Sequence, residues 1–175
     1  LGGVLTALHA GRRPDDFSAL VTLCSGDAHF RTWPGASQAG LWVFYRAFRA
    51  ISRTVGYLPG QHLHWGGPVA RGVILDWTSW GVTGRHRGSA GQNLDALLRG
   101  ARCPALVVSL SDDPMAPRST VDALAAGLTG APVTRWHLAP HELGVDKLGH
   151  FGHLRGPAAL WDRLADWWDG PAGGI

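Results

Sequence analysis

The chain has 175 residues, 45% of them hydrophobic and 17% charged, with nine Trp, 25 Gly and 11 Pro. That is enough apolar material for a packed core and too little Gly and Pro for a low-complexity chain, so a disordered tail is excluded. The net charge of +3 comes from 15 Arg and one Lys, scattered singly apart from Arg12-Arg13 and Arg85-His86-Arg87, which argues against a nucleic-acid partner.

The chain opens on a helical pattern at residues 4–10, with Gly11 as its expected C-cap. A near-continuous apolar run at 19–24 reads as a strand buried on both faces. The stretch from about 26 to 100 is different, rich in Gly and aromatics with no strand pattern to interrupt it. It holds an amphipathic helix at 39–55, carrying Leu41, Trp42, Phe44, Tyr45, Phe48 and Ile51, and a second helical piece at 69–80 with Val73, Trp77 and Trp80. A second apolar strand at 105–110 is entered sharply through Cys103-Pro104. Then come a helix at 119–128, announced by Pro117 and followed by Gly130, a strand at 133–138, and a helix at 157–168. That last helix is expected to bury a stripe of Leu160, Trp161, Leu164, Trp167 and Trp168. Alternating strands and helices predict an α/β fold with a parallel sheet. Residues 1–25 and 101–175 form its core, and 26–100 are a helical lid or cap insertion.

Chemistry concentrates at Ser111-Asp112-Asp113-Pro114-Met115-Ala116-Pro117, just past the second strand. Open parallel sheets form their sites outside the carboxyl ends of strands. A carboxylate there can hold and polarise a histidine brought in by the later loop Leu148-Gly149-His150-Phe151-Gly152-His153. Glycines around His150 let that backbone approach without an obstructing Cβ. Taken alone, Asp-Asp-Pro is a helix-capping turn and His150 a packed or solvent-facing histidine. In this order and placement, one helix and one strand apart, they read as an acid–base pair.

These residues resemble the alpha/beta-hydrolase superfamily: Asp113 to Pro117 after a strand, Gly149-His150 before the last helix, and Leu1-Gly2-Gly3 at the start. The superfamily's nucleophile elbow reads G-x-S-x-G between strand and helix. The opening Leu1-Gly2-Gly3 is similar to such an elbow cut just after its serine. No initiator methionine is present, since the single Met is Met115, so the chain reads as the carboxyl-terminal part of a longer enzyme. The resemblance then implies a Ser-Asp-His triad with the serine upstream of Leu1, Asp113 as acid, His150 as base and the Leu1 backbone N–H as an oxyanion-hole donor. Gly56-Tyr57-Leu58-Pro59-Gly60, Trp77 with Trp80, and Leu148 to Gly152 look like a bacterial group of predicted serine hydrolases. That group is related to the serine aminopeptidase and monoacylglycerol-lipase-like branch. Leu110 stands where relatives often carry Gly, which leaves Asp112 open beside Asp113. The D-x-x-x-P spacing to Pro117 favours Asp113. The implied activity is cleavage of a carboxylic ester or amide through an acyl-enzyme, with no cofactor.

Other residues compete for these roles. Gly35-Ala36-Ser37-Gln38-Ala39 is a relaxed elbow, but the segment before it is no buried strand, so Ser37 reads better as a helix N-cap. His153 is the alternative base, lacking the preceding Gly. His62 with His64, His137 with His141, and His150 with His153 have ligand-like spacing, yet no set of three or four emerges and no metal is expected. Cys24 and Cys103 read as buried, reduced thiols. Two other functions stay open: a non-catalytic or degenerate hydrolase-fold binding protein, and an Asp-nucleophile dehalogenase or epoxide hydrolase. The cap aromatics Trp33, Trp42, Phe44, Tyr45, Phe48 and Trp65 suggest a small-molecule substrate with an apolar acyl or aryl group, although packing within the cap explains them too. No apolar run is long enough for a membrane span, and Leu1 to Leu8 carry no leader, which points to the cytoplasm.

Overall fold

The computed structural model describes residues 1–63 and 66–172; His64 and Trp65, named above, lie outside them. The elements in chain order are α1 (Gly2–Arg12), β1 (Leu20–Leu23), α2 (Ser37–Val55), β2 (Tyr57–Leu58), β3 (Val69–Ala70), α3 (Arg71–Thr83), α4 (Asp95–Gly100), β4 (Ala105–Leu110), α5 (Arg118–Gly127), β5 (Val133–Leu138) and α6 (Ala158–Trp167). They fall into two compact units, Leu1–Asp27 with Ala96–Ile175, and Ala28–Asp95.

The first unit is a parallel sheet in the order β1, β4, β5, with Leu20 beside Ala105 and Ala105 beside Val133. Every side chain of β4 is buried, which is why its sequence is continuously apolar rather than alternating. Successive residues of a strand point to opposite faces. On one face Leu106, Val108 and Leu110 pack with Leu160, Leu164 and Trp167 of α6. On the other, α1 lies on β1 and α5 on β4 and β5.

That second face also holds a polar network. Arg135 donates from Nη2 to Ser109 Oγ and from Nη1 to the Val107 carbonyl, each at 2.8 Å. It pairs with Asp122 of α5 at 2.8 Å, and His137 Nδ1 lies 2.7 Å from the same Ser109 hydroxyl. Ser109 is fully buried, so these partners satisfy a group that would otherwise destabilise the sheet.

The second unit is built on α2 packed against α3. Its core is Phe48, Leu58 and Ile74, surrounded by Phe44, Ile51, Val69 and Trp77. Tyr45, 1% exposed, donates its hydroxyl to the Ala28 carbonyl at 2.5 Å. A Cβ on Gly81 would stand 2.3 Å from the Tyr45 ring, so glycine lets the two helices close on the aromatic.

Four expectations are corrected. Gly11 is inside α1 rather than its cap, and Arg13 occupies the C-cap position. The reason for glycine there is backbone approach: a Cβ would sit 1.7 Å from the Leu97 carbonyl oxygen. The second unit does contain strands, because β2 and β3 pair antiparallel, with Tyr57 opposite Ala70 and Leu58 opposite Val69. Two-residue strands are too short to show a period. In α6 the buried stripe is Leu160, Leu164 and Trp167, while Trp161 and Trp168 are 48% and 46% exposed. A 3.6-residue repeat aligns the first three and turns the other two away. Finally, Trp42 and Val73 are exposed and leave the core stripes of α2 and α3 to Tyr45, Phe48, Ile74 and Thr78.

Gly11→Ala is expected to lower stability by about 1–3 kcal/mol, the range for forced overpacking. Gly2→Ala, with nothing within 4 Å of its added Cβ, should instead be neutral or stabilising by up to about 1 kcal/mol. Urea midpoints of the two variants check this.

Candidate active site

The carboxyl edge of the parallel sheet gathers three chain segments: Cys24 after β1, Ser111 to Ala116 after β4, and Leu148 to His153 between β5 and α6. At their meeting point the Asp113 side chain is fully buried. Its Oδ1 accepts the backbone N–H groups of Met115 at 2.8 Å and Ala116 at 3.1 Å, closing the turn that leads into α5. His150 Nδ1 lies 2.9 Å from Oδ2 and 3.1 Å from Oδ1. An ionised carboxylate only accepts, so Nδ1 carries a proton, and in the neutral ring Nε2 presents a lone pair. The imidazole keeps 23% of its surface exposed and stands edge-on to Phe151.

Burial is the largest influence on Asp113 and pushes its carboxyl up. The His150 hydrogen bond, the Met115 N–H, the His150 charge and the Ala116 N–H outweigh it together, so Asp113 sits below the ordinary aspartate range. The same carboxylate acts electrostatically on Cys24. Burial first, then the charges of Asp113 and Asp112, push Cys24 up to about 12. Cys24 is also the one non-glycine at positive φ among the described residues, at 51°. A side chain there strains the backbone, and outliers of this kind cluster at sites.

Asp112, the alternative acid, has a different task. Its Oδ2 accepts the N–H of Leu148 at 2.8 Å and of Gly149 at 2.9 Å, clamping the loop one residue ahead of His150. The glycine at 149 is explained by this clamp: its φ is +59°, and nothing lies within 4 Å of an added Cβ. Conformation rather than close approach is therefore the requirement, which corrects the expectation for that position.

The remaining candidates are placed as follows. His153 has a partly buried ring with its Nδ1 unpartnered among the described residues. Burial, and next the His150 charge, push it down. Leu1 stands at the N-cap position of α1, and its carbonyl accepts the Leu5 N–H at 3.1 Å. Gly3 is positioned where a Cβ would come 2.3 Å from Ser25 Oγ, just past β1. Ser37 belongs to the second unit. It is the first residue of α2, and Ala36 occupies the N-cap position that Ser37 was expected to fill. Ser111 is an exposed turn residue whose N–H donates to Leu138. Among the described residues no three His, Cys, Asp or Glu side chains converge as metal ligands.

Sequence reasoning missed two features. One is Cys24, treated as an inert core thiol although it ends β1 on the same sheet edge as Asp113. The other is a second His–Asp pair, in the Ala28–Asp95 unit. There Asp95 Oδ1 lies 2.8 Å from His86 Nδ1 and accepts the His86 backbone N–H at 3.0 Å. His86 is 3% exposed and packs on Trp80, so this pair ties down a chain end inside its unit.

No family model matches the chain, and no curated protein is significantly similar to it. Solved structures are. Alpha/beta hydrolase domain-containing protein 10 from mouse matches 95% of this chain at 15% identity and a TM-score of 0.53. Rv0554 from Mycobacterium tuberculosis matches 95% at 13% identity and a TM-score of 0.50. DcsB, solved with its substrate analogue, matches 98% at 17% identity and a TM-score of 0.51. The chain spans 58%, 62% and 62% of these proteins respectively. At such identities the likeness establishes the fold, which is that of an alpha/beta hydrolase. No described helix is long and apolar enough to cross a membrane.

Two outcomes test the geometry. Asp113 is held below its unfolded value of about 3.9, so its contribution to stability is present above that pH and is lost as pH falls through the folded value. The drop in urea midpoint between about pH 5 and about pH 3 is expected to be smaller in Asp113→Asn than in the parent. Asp112→Ala removes the acceptor of two backbone amides, so hydrogen exchange at Leu148 and Gly149 should accelerate by about tenfold or more, while β4 amides stay protected.

Proposed function

We propose that this chain provides the acid and base of a serine hydrolase that cleaves a carboxylic ester or amide of a small molecule through an acyl-enzyme. The observation that carries the reading is the 2.9 Å contact of His150 Nδ1 with a fully buried Asp113 carboxylate, at the carboxyl edge of a hydrolase-fold sheet. A base held by its Nδ1 presents Nε2 to a substrate or nucleophile, which is the arrangement that acyl transfer needs.

In this reading His150 Nε2 takes the proton of a serine hydroxyl as that oxygen bonds to the substrate carbonyl carbon. The tetrahedral oxyanion collapses, the bond to the leaving alcohol or amine breaks, and Nε2 returns the proton to it. Water then repeats the cycle on the acyl-enzyme. Asp113 stays ionised throughout and stabilises the imidazolium. The nucleophile of the proposal is a serine directly before Leu1, at the turn leading into α1. The Leu1 N–H is then one oxyanion donor, and losing one such donor costs on the order of 10²–10³ in rate. The helix start at Gly2 and the tight approach of Gly3 to Ser25 support that placement. In this proposal residues 26–100 are the lid insertion of the enzyme, and the substrate carries an apolar acyl or aryl group. Tyr45 and Phe48 are occupied within that unit's own core, so Trp42 is the exposed aromatic that α2 offers.

The test uses the complete translation product of the gene, an activated p-nitrophenyl ester and a fluorophosphonate. His150→Ala is expected to lower turnover by about 10³-fold or more, and the fluorophosphonate to label the residue before Leu1. Full turnover in His150→Ala, or ester turnover with no fluorophosphonate label, overturns the reading.

A further inference from the structure

The sequence spreads its arginines singly, but the fold gathers three of them. Arg46, Arg49 and Arg53 are spaced by three and four residues, which places them along one side of α2. That side faces Ser79, Val82 and Thr83 of α3 across a groove of about 400 Å³, within the size range of small-molecule sites. All of these residues belong to the Ala28–Asp95 unit.

The charge in the groove is only partly offset, by Asp76 of α3 acting on Arg49. Among the described residues no carboxylate pairs with any of the three guanidinium groups. Burial, and next the charges of Arg53 and Arg46, push Arg49 down, with Asp76 acting weakly the other way. Two of the heads are held in place: Arg49 Nη1 donates to the Leu75 carbonyl at 2.8 Å, and Arg46 lies 4.5 Å over the Trp42 ring. Thr83 already donates its hydroxyl to the Ser79 carbonyl at 2.7 Å, which fixes its side chain at the rim. Like charges held this close repel, and the groove supplies donors in excess of acceptors. Guanidinium forks match the oxygens of a phosphoryl group, and two or three of them suit a ligand carrying more than one negative charge.

We propose that the groove between α2 and α3 is a binding site for a dianionic phosphoryl group, either free phosphate or the head of a phosphate monoester. The site is independent of the Asp113–His150 pair and of the hydrolase reading. It needs no covalent step.

The experiment titrates the complete translation product of the gene by calorimetry with inorganic phosphate, glycerol 3-phosphate and sodium chloride, all at one ionic strength, and follows Trp fluorescence because Trp42 underlies Arg46. Saturable binding of phosphate or of the monoester, with no response to chloride, is the expected result. A monoester that binds more tightly than phosphate assigns an organic body to the groove; equal affinities assign the phosphoryl group alone. The Arg46→Gln, Arg53→Gln double variant removes two exposed heads and is expected to bind about tenfold or more weakly. Should the pair destabilise the fold, each single variant answers the same question by a smaller loss. Unchanged affinity in the variants, a response that chloride reproduces, or no saturable response to either phosphate overturns the proposal.

Discussion

A buried carboxylate is costly unless every lone pair is met, and the carboxyl edge of this sheet is organised around meeting those of Asp113. Two backbone N–H groups and an imidazole N–H converge on it, and its charge acts on the Cys24 thiol. Each donor comes from a different obligation of the chain. The amides close the turn after β4, the imidazole anchors the long connection between β5 and α6, and the thiol that feels the charge directly follows β1. Because one side chain answers to all three strands, the loops cannot rearrange separately without exposing a charge to a dry environment. Asp112 holds the neighbouring backbone, since its Oδ2 accepts the amides just ahead of the imidazole. Two neighbouring carboxylates thus divide the work: one holds the ring and the other its backbone.

The sheet beneath can support this only because β4 is rigidly sandwiched. Its two faces are covered by different physics. Toward α6 the contacts are aliphatic and aromatic, and non-directional. Toward α5 they pass through Arg135, Ser109, His137 and Asp122, which are directional. Directional partners fix the register of β5 against β4 in a way that leucines would not.

Much of this was open to inspection in the sequence. The three strands announce themselves because burial on both faces demands unbroken apolar runs, and the order of a carboxylate after β4 and a histidine after β5 follows from sheet topology. What stayed hidden was set by tertiary contact. Nothing local reveals that Gly11 faces a carbonyl, that Cys24 adopts a left-handed backbone, or that Trp161 turns outward while Trp167 turns in. The β2–β3 pair is too short for its alternation to register. The arginines of α2 escaped notice for a simpler reason: a cluster on a helix is periodic, so reading residue by residue dilutes it.

Where the chain re-enters the first unit after residue 95, Leu98 and Ala101 are buried and the backbone packs directly on backbone. Gly11 abuts the Leu97 carbonyl, Gly100 approaches the Gly11 carbonyl, and Gly130 closes on the carbonyls of Arg99 and Ala101. The return is thus gripped by main chain against main chain, just ahead of the central strand. Such a grip does not depend on what the intervening segment encodes. Insertions, deletions and wholesale replacement within residues 28–95 can accumulate without shifting β4, provided those glycines persist. In evolutionary terms, the excursion from 28 to 95 is a replaceable module on a mount of fixed backbone, and novelty in this protein has room to arise there first.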